Sequence, residues 1–331
     1  MRSIGLIVLI ALVMGVVPVK AGQDATPVVT AQDPAAGDFA GLVDIGGRSI
    51  YLECRGTGSP TVILVGGYRS SARYWTDDLH QVEAPRTMVL PGVARTTRVC
   101  AYDRPGTAAS IGDQDYISRS DPVAQPRSSL EVVEELHALL QAAGLRGPYI
   151  LAGHSLGGFF ARHYAATYPE EVAGLVLIDA YSEMLEDQMP RDRWQALVRL
   201  NQGMGTDTVI AIPGYGDLET LPWGADNAVV RAAVTEHPLP PMPLAVLSHG
   251  KPFALPPDAE GFITAELEGY LQAANESAAM LVPHARFWVA SESGHDIHQD
   301  QPALVIAAIE QVIAGVRSPD TWYDLRACCE N

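Results

Sequence analysis

Positive charge is what this chain has least of. Its 331 residues hold 22 Lys+Arg against 39 Asp+Glu, a net charge of −17. That balance argues against nucleic acid and anionic membrane surfaces as partners, because both need a basic face. Charged residues of either sign make up only 18%, while hydrophobic residues make up 47%, so a real core is available and overall disorder is excluded. No internal repeat is visible, and the length suits one large α/β domain with an insertion or two ordinary domains. A membrane span is not expected either, the alternative being an uncleaved anchor at the N-terminus. The one long apolar run, Ile4 to Val17, is shorter than the ~20 residues a spanning helix needs. With Arg2 before it and Val19-Lys20-Ala21 after it, residues 1–21 read as a secretory signal peptide cleaved near Ala21. The expected product is secreted or periplasmic, with no stable membrane partner. Cleavage would remove Arg2 and Lys20, leaving 20 basic against 39 acidic residues and a net charge of −19. Such a chain favours a neutral or apolar small molecule. Cysteines number only four. In an exported chain they are expected to form disulfides, with three pairings open. Cys54 and Cys100 fall in expected strands, whereas a bridge between adjacent Cys328 and Cys329 would be strained.

What is present is a rhythm of strands and helices. Residues 22–40 form a Pro/Ala/Thr-rich leader without periodicity. A hairpin around Gly46-Gly47 follows, then a β-branched strand Thr61 to Val65 ending at Gly66-Gly67. Ser70 to His80 is expected to be a helix. Arg98 to Tyr102 is a strand, and Ile111 to Arg127 is polar and irregular. Ser128 to Ala143 is the clearest helix, with a Ser128/Glu131 capping box and a stripe of Leu130, Val133, Leu136 and Leu140. Later strands are expected at Val172 to Ile178, Leu244 to Leu247 and Phe287 to Ala290, and helices at Phe262 to Ala274 and Ala303 to Val316. Alternation of this kind predicts an α/β fold with a doubly wound, mostly parallel sheet. Residues 41–180 and 242–318 would form the core, residues 181–241 an inserted cap over the sheet's C-terminal edge, and residues 319–331 a tail.

The chain is organised around Tyr149 to Ala165. An apolar strand runs into Gly153-His154-Ser155-Leu156-Gly157-Gly158 and out into a helix. Strand, sharp turn and helix are the context in which G-x-S-x-G presents a nucleophilic serine. A serine needs a base, and the base a carboxylate to orient it. Among nine histidines, His295 lies in a tight loop after the last strand, and His298 is its fallback. His154 should point away from the serine, and His163, two helical turns on, should either serve packing or support the site from behind. His249 is read either as a loop histidine or as one lining a pocket. The acid is expected at Asp179, which ends the strand after the nucleophile's helix, with Asp258 as the alternative. Backbone amides of Tyr68 and Leu156 are the candidate oxyanion donors. A zinc reading of His295-Asp296-Ile297-His298 lacks a third ligand, so no metal and no cofactor are expected.

GHSLGG, LVGGYRSSARYW, AYDRPG, YPEEVAGLVLIDA and SGHDIHQDQP stand in the order and spacing of the α/β-hydrolase superfamily, which this chain resembles over about residues 41–317. It departs from the family in having Gly66-Gly67 where His-Gly is usual, and in lacking an acid directly after Leu244 to Leu247. Some members place that acid one strand earlier, where Asp179 stands. The resemblance implies a serine hydrolase, Ser155 excluding the relatives that use an Asp nucleophile. It also implies that the strands carrying Cys54 and Cys100 lie side by side, so that their sulfurs meet if the registers hold. The expected activity is hydrolysis of an apolar carboxylic ester through Ser155, His295 and Asp179. The alternatives are cofactor-free perhydrolysis or acyl transfer, amide or carbon–carbon hydrolysis, and a non-catalytic binding protein. No feature signals an oligomeric state.

Overall fold

A computed structural model describes residues 34–111, 114–203, 217–252 and 263–323. All of them belong to one compact unit, Asp33–Asn331. Strands β1 (Phe39–Asp44), β2 (Ser49–Arg55), β3 (Val62–Val65) and β4 (Val99–Tyr102) come first. A small antiparallel pair, β5 (Ala108–Ile111) and β6 (Gln114–Ile117), stands apart from the main sheet. The remaining strands are β7 (Tyr149–His154), β8 (Val172–Ile178), β9 (Leu244–His249) and β10 (Arg286–Ala290). The main sheet has eight strands in the order β1-β2-β4-β3-β7-β8-β9-β10, parallel from β4 to β10 and antiparallel where β2 meets β1 and β4.

Strands β3, β4, β7 and β9 are buried along their whole length, as parallel strands covered on both faces must be. Their side chains alternate between two cores. Ile63, Val65, Leu151, Leu175 and Val246 face one side, and Val62, Leu64, Ile150, Val176 and Ala245 face the other. Among the described residues, helices α1 (Arg73–Thr76) and α2 (Val89–Val93) follow β3, and α3 (Ser129–Ala142) precedes β7. Helix α4 (Leu156–Thr167) follows β7. Between β8 and β9 stand α5 (Leu185–Gln188), α6 (Arg191–Gly203) and α7 (Trp223–Glu236). Then come α8 (Thr264–Ala278), α9 (Ile297–Asp300), α10 (Pro302–Arg317) and α11 (Pro319–Tyr323). Leu185, Met189, Trp194 and Leu197 make a satellite core with Leu267 and Ala274 of α8.

The β2–β4 register sets Cys54 opposite Cys100, and the two are joined by a disulfide. Helix α3 carries the expected capping box, but its stripe is Val132, Val133, Leu136, Leu139 and Leu140, while Leu130 is exposed. The helix expected over Ser70 to His80 shortens to α1, and Asp77 is already extended. Here tertiary bonds replace helical ones. Gln299 Nε2 donates to the Tyr74 and Asp77 carbonyls, and Asp103 accepts from the Ala72 amide. The region expected to be irregular from Ile111 contains β6 and then Arg119, forked onto the Asp103 carboxylate. Residues 1–21, Asp258, Cys328 and Cys329 lie outside the described residues, and no described helix is long and apolar enough to cross a membrane.

Candidate active site

Ser155, Asp179 and His295 all follow strands of the parallel sheet, at the carboxyl edge where open α/β sheets bind ligands. Ser155 joins β7 to α4 with φ 51° and ψ −122°, a conformation that costs a non-glycine residue about 1–3 kcal/mol. Three backbone bonds hold it there. The Ser155 amide donates to Ile178 O at 3.0 Å, and its carbonyl accepts from Gly158 N at 2.9 Å and Tyr181 N at 3.0 Å. Only glycine fits on either side. A Cβ on Gly153 would overlap Gly157 O, and one on Gly157 would overlap Val65 O. The Ser155 side chain makes no capping bond to α4, and Leu156 opens that helix with an amide that has no intrahelical acceptor.

The loop after β3 lies against this turn. A Cβ on Gly67 would stand 2.8 Å from His154 Nδ1 and 3.3 Å from Ser155 Cβ. Buried Arg104 grips the loop, donating to Gly66 O at 2.7 Å and Gly67 O at 2.6 Å, while its guanidinium pairs with buried Glu219 at 2.6 Å. Glu219 also accepts from the Arg69 amide at 2.7 Å. A trans peptide sets C=O and N–H on opposite sides, so the bond to Gly67 O turns the Tyr68 N–H away from Arg104.

Asp179 ends β8 with φ 44°, its amide bonded to Leu247 O at 2.7 Å. Its buried carboxylate accepts from His295 Nδ1 at 2.6 Å on Oδ2. A second histidine shares it. His249, the last residue of β9, approaches with Nδ1 at 2.7 Å from Oδ1 and 2.8 Å from Oδ2, and its amide donates to Oδ1 at 3.2 Å. Asn275 Nδ2 adds a bond to Oδ1 at 3.3 Å. On its far side His249 Nε2 meets Glu268 Oε2 at 2.7 Å. Burial alone would raise the Asp179 pKa, but the bonds from His249 and His295 outweigh it and hold the carboxyl well below the usual range. For His249 burial acts downward, and the bonds and charges of Asp179 and Glu268 prevail, lifting it to about 9.

His295 sits between β10 and α9 in a loop tied by Ser293 N to Ala290 O and by Gly294 N to Asp300 Oδ2, each at 3.0 Å. His154 Nε2 lies 2.9 Å from the His295 carbonyl oxygen. The fallback, His298, is buried away from the carboxylate and packs on the Trp75 and His154 rings, with centroids at 4.8 Å and 4.2 Å. Burial, and then the neighbouring His295, pushes His154 down to about 4; burial and nearby histidines push His298 down as well. His163 is buried on α4 and is also lowered by burial. Ligand-capable atoms of His154, Asp296 and His298 fall within 4.8 Å of one another, so a third partner for the pair Asp296 and His298 does exist in space. We assign no metal to this group. Sequence reasoning left His249 undecided and did not single out Glu268 at all. The only signal was that β9 ends in a histidine where an acid is usual.

Residues 60–215 match the family model of the alpha/beta hydrolase fold. An AB hydrolase superfamily protein of Gibberella zeae is 22% identical over 321 residues, covering 82% of this chain and 92% of that one. The carboxylesterase CesB of Bacillus subtilis, at 18% identity, has the same fold with a TM-score of 0.51 over 84% of this chain and 92% of its own. The chain has the α/β-hydrolase fold. An uncharacterized protein of Schizosaccharomyces pombe is 31% identical over 150 residues, 40% of this chain and 26% of that one. The chain therefore spans about a quarter of the length of that relative.

Proposed function

We propose that this protein is a serine hydrolase that cleaves carboxylic esters, with Ser155 as nucleophile, His295 as base and Asp179 as its orienting acid. The observation that carries the reading is the 2.6 Å contact between His295 Nδ1 and Asp179 Oδ2, on the strand edge where the strained Ser155 turn also stands. With its Nδ1–H held by the carboxylate, His295 presents Nε2 as the basic nitrogen. His295 takes the Ser155 proton as Oγ attacks the ester carbonyl. The tetrahedral oxyanion is held by the Leu156 amide and the Tyr68 amide, the second aimed by the grip of Arg104 on Gly67 O. Collapse expels the alcohol, which takes the proton from His295. Water then attacks the acyl-enzyme, His295 accepts its proton, and Ser155 leaves with that proton as the acid is released.

A carboxylesterase among the structural neighbours agrees with this reaction class. Export belongs to the same proposal, since the Cys54–Cys100 disulfide suits an oxidising compartment. The test is covalent labelling by a serine-directed phosphonate, followed by a panel of esters. Ser155→Ala should fold, resist labelling and lose turnover by roughly 10⁴-fold or more. Labelling or near-normal turnover in that variant would sink the assignment.

A further inference from the structure

Most carboxylates that orient a catalytic histidine serve one imidazole, and Asp179 serves two. The second, His249, has both ring nitrogens 2.7 Å from a carboxylate oxygen, Asp179 on one side and Glu268 on the other. A neutral imidazole carries one N–H, so at one end a nitrogen lone pair would face oxygen lone pairs. Only the imidazolium donates at both ends. His249 is buried, while the Glu268 side chain is partly open at 23% exposure.

We propose that His249 is a positioning residue: as a fixed imidazolium it holds the Asp179 carboxylate in register with His295 and offsets part of its negative charge. The inference rests on the serine-hydrolase reading. It gives β9 a use where the usual acid is missing. The acid has moved to the end of β8, and the vacated strand end supplies a cation that clamps it. Two constraints fix the clamp to the sheet, because the same residue also donates its backbone amide to Asp179 Oδ1. Asn275, from α8, bridges Asp179 Oδ1 and Ser248 Oγ from the other side.

The charge has a direction of effect. A positive group beside Asp179 offsets part of the carboxylate's field at His295, so removing that group leaves the carboxylate's charge uncompensated there. Among the described residues, groups facing this pair include Glu268 from α8, His154 from β7, and Asp296 and His298 from the loop and α9 beyond His295. Lys251 and Glu292 pair with each other at the rim, and Glu266 of α8 pairs with Arg193. Glu268 answers the His249 charge but stands on the side away from Asp179.

The test uses the full chain, with rates normalised to phosphonate-titrated sites so that misfolded protein is not counted. The variants are His249→Asn, which retains an N–H donor, the double variant His249→Asn with Glu268→Gln, which removes the whole ion pair, and His249→Phe, which removes the donor too. The acid limb of kcat/KM should move to higher pH in both Asn variants, by about one pH unit in the double variant. His249→Phe should lose kcat at the plateau, by roughly 10-fold or more, beyond any limb shift. Nitrogen-15 NMR of the wild type should find His249 doubly protonated at neutral pH. A purely structural histidine would lower the melting temperature and leave the limb in place. If the wild type is labelled by the phosphonate but the limb is unmoved in both Asn variants, or if the His249 ring is neutral, the proposal alone is overturned. A wild type that takes no phosphonate and cleaves no ester overturns the hydrolase reading with it.

Discussion

His295 has histidines on two sides, and they are opposites. On the side of β9, His249 lies between two carboxylates and is lifted to about 9. On the side of β7 and α9, His154 is pushed down to about 4 and His298 falls too. All three are buried. Burial therefore does not decide which histidine carries charge; the company does. His249 meets Asp179 and Glu268 at 2.7 Å each, whereas His154 meets a backbone carbonyl, two other imidazoles and, only at 3.7 Å, the exposed Asp296 carboxylate. His295 thus stands between an ion-paired side reached through Asp179 and a ring-packed side at His154 and His298. One side orients Nδ1, and the other grips the backbone carbonyl of the same residue.

The most severe way to break this contrast is to remove its centre. Asp179→Asn should keep the fold and lower turnover by roughly 10⁴-fold, because the amide favours the wrong tautomer of His295. Asp258→Asn, assayed beside it, should show no comparable loss. If only the second variant is inactive, the acid comes from the later segment.

A smaller effect separates the two sides by the sign of their pH dependence. Unfolded histidines take a proton near about 6.5, but folded His154 does so only near about 4. Between those values the unfolded chain binds more protons, so His154 costs stability as pH falls from about 6.5 towards about 4, by roughly 3 kcal/mol at the acid end. His249 runs the other way. Its contribution is complete below about 6.5 and is lost as pH rises through about 9. Melting curves against pH should show His154→Asn flattening the acid decline and His249→Asn flattening the alkaline one. Parallel curves for wild type and both variants would cancel the contrast.

The mildest expected effect is at His298, whose buried Nδ1 has no hydrogen-bond partner. His298→Phe keeps the ring contact with Trp75 and forfeits no bond from that nitrogen, so stability should change by about 1 kcal/mol or less, with turnover within a few-fold. Loss of turnover in a folded His298→Phe protein would make His298, not His295, the base.

Much of this was legible in the chain. The strand–turn–helix around Ser155, the alternation of elements and the placing of Asp179 at the end of β8 all have local signatures, because glycine spacing, β-branched runs and caps act over a few residues. The length of α1 was not legible, since its end is decided by Gln299, more than two hundred residues away. The exposed Leu130 shows a related limit. A helical stripe can be drawn through two neighbouring sets of residues, and only the packed sheet selects one.

His249 marks the same boundary within the site. By itself the sequence determined that no acid directly follows the strand Leu244 to Leu247, that Asp179 stands at the end of a strand, and that His249 comes two residues after Leu247. Backbone periodicity and turn chemistry suffice for those statements, because both are local. Which histidine is charged was decided by tertiary structure alone. Proton affinity depends on the atoms within a few ångströms of each nitrogen, and at His249 those atoms come from the end of β8 and from α8, brought together only when the sheet and its covering helix close around them.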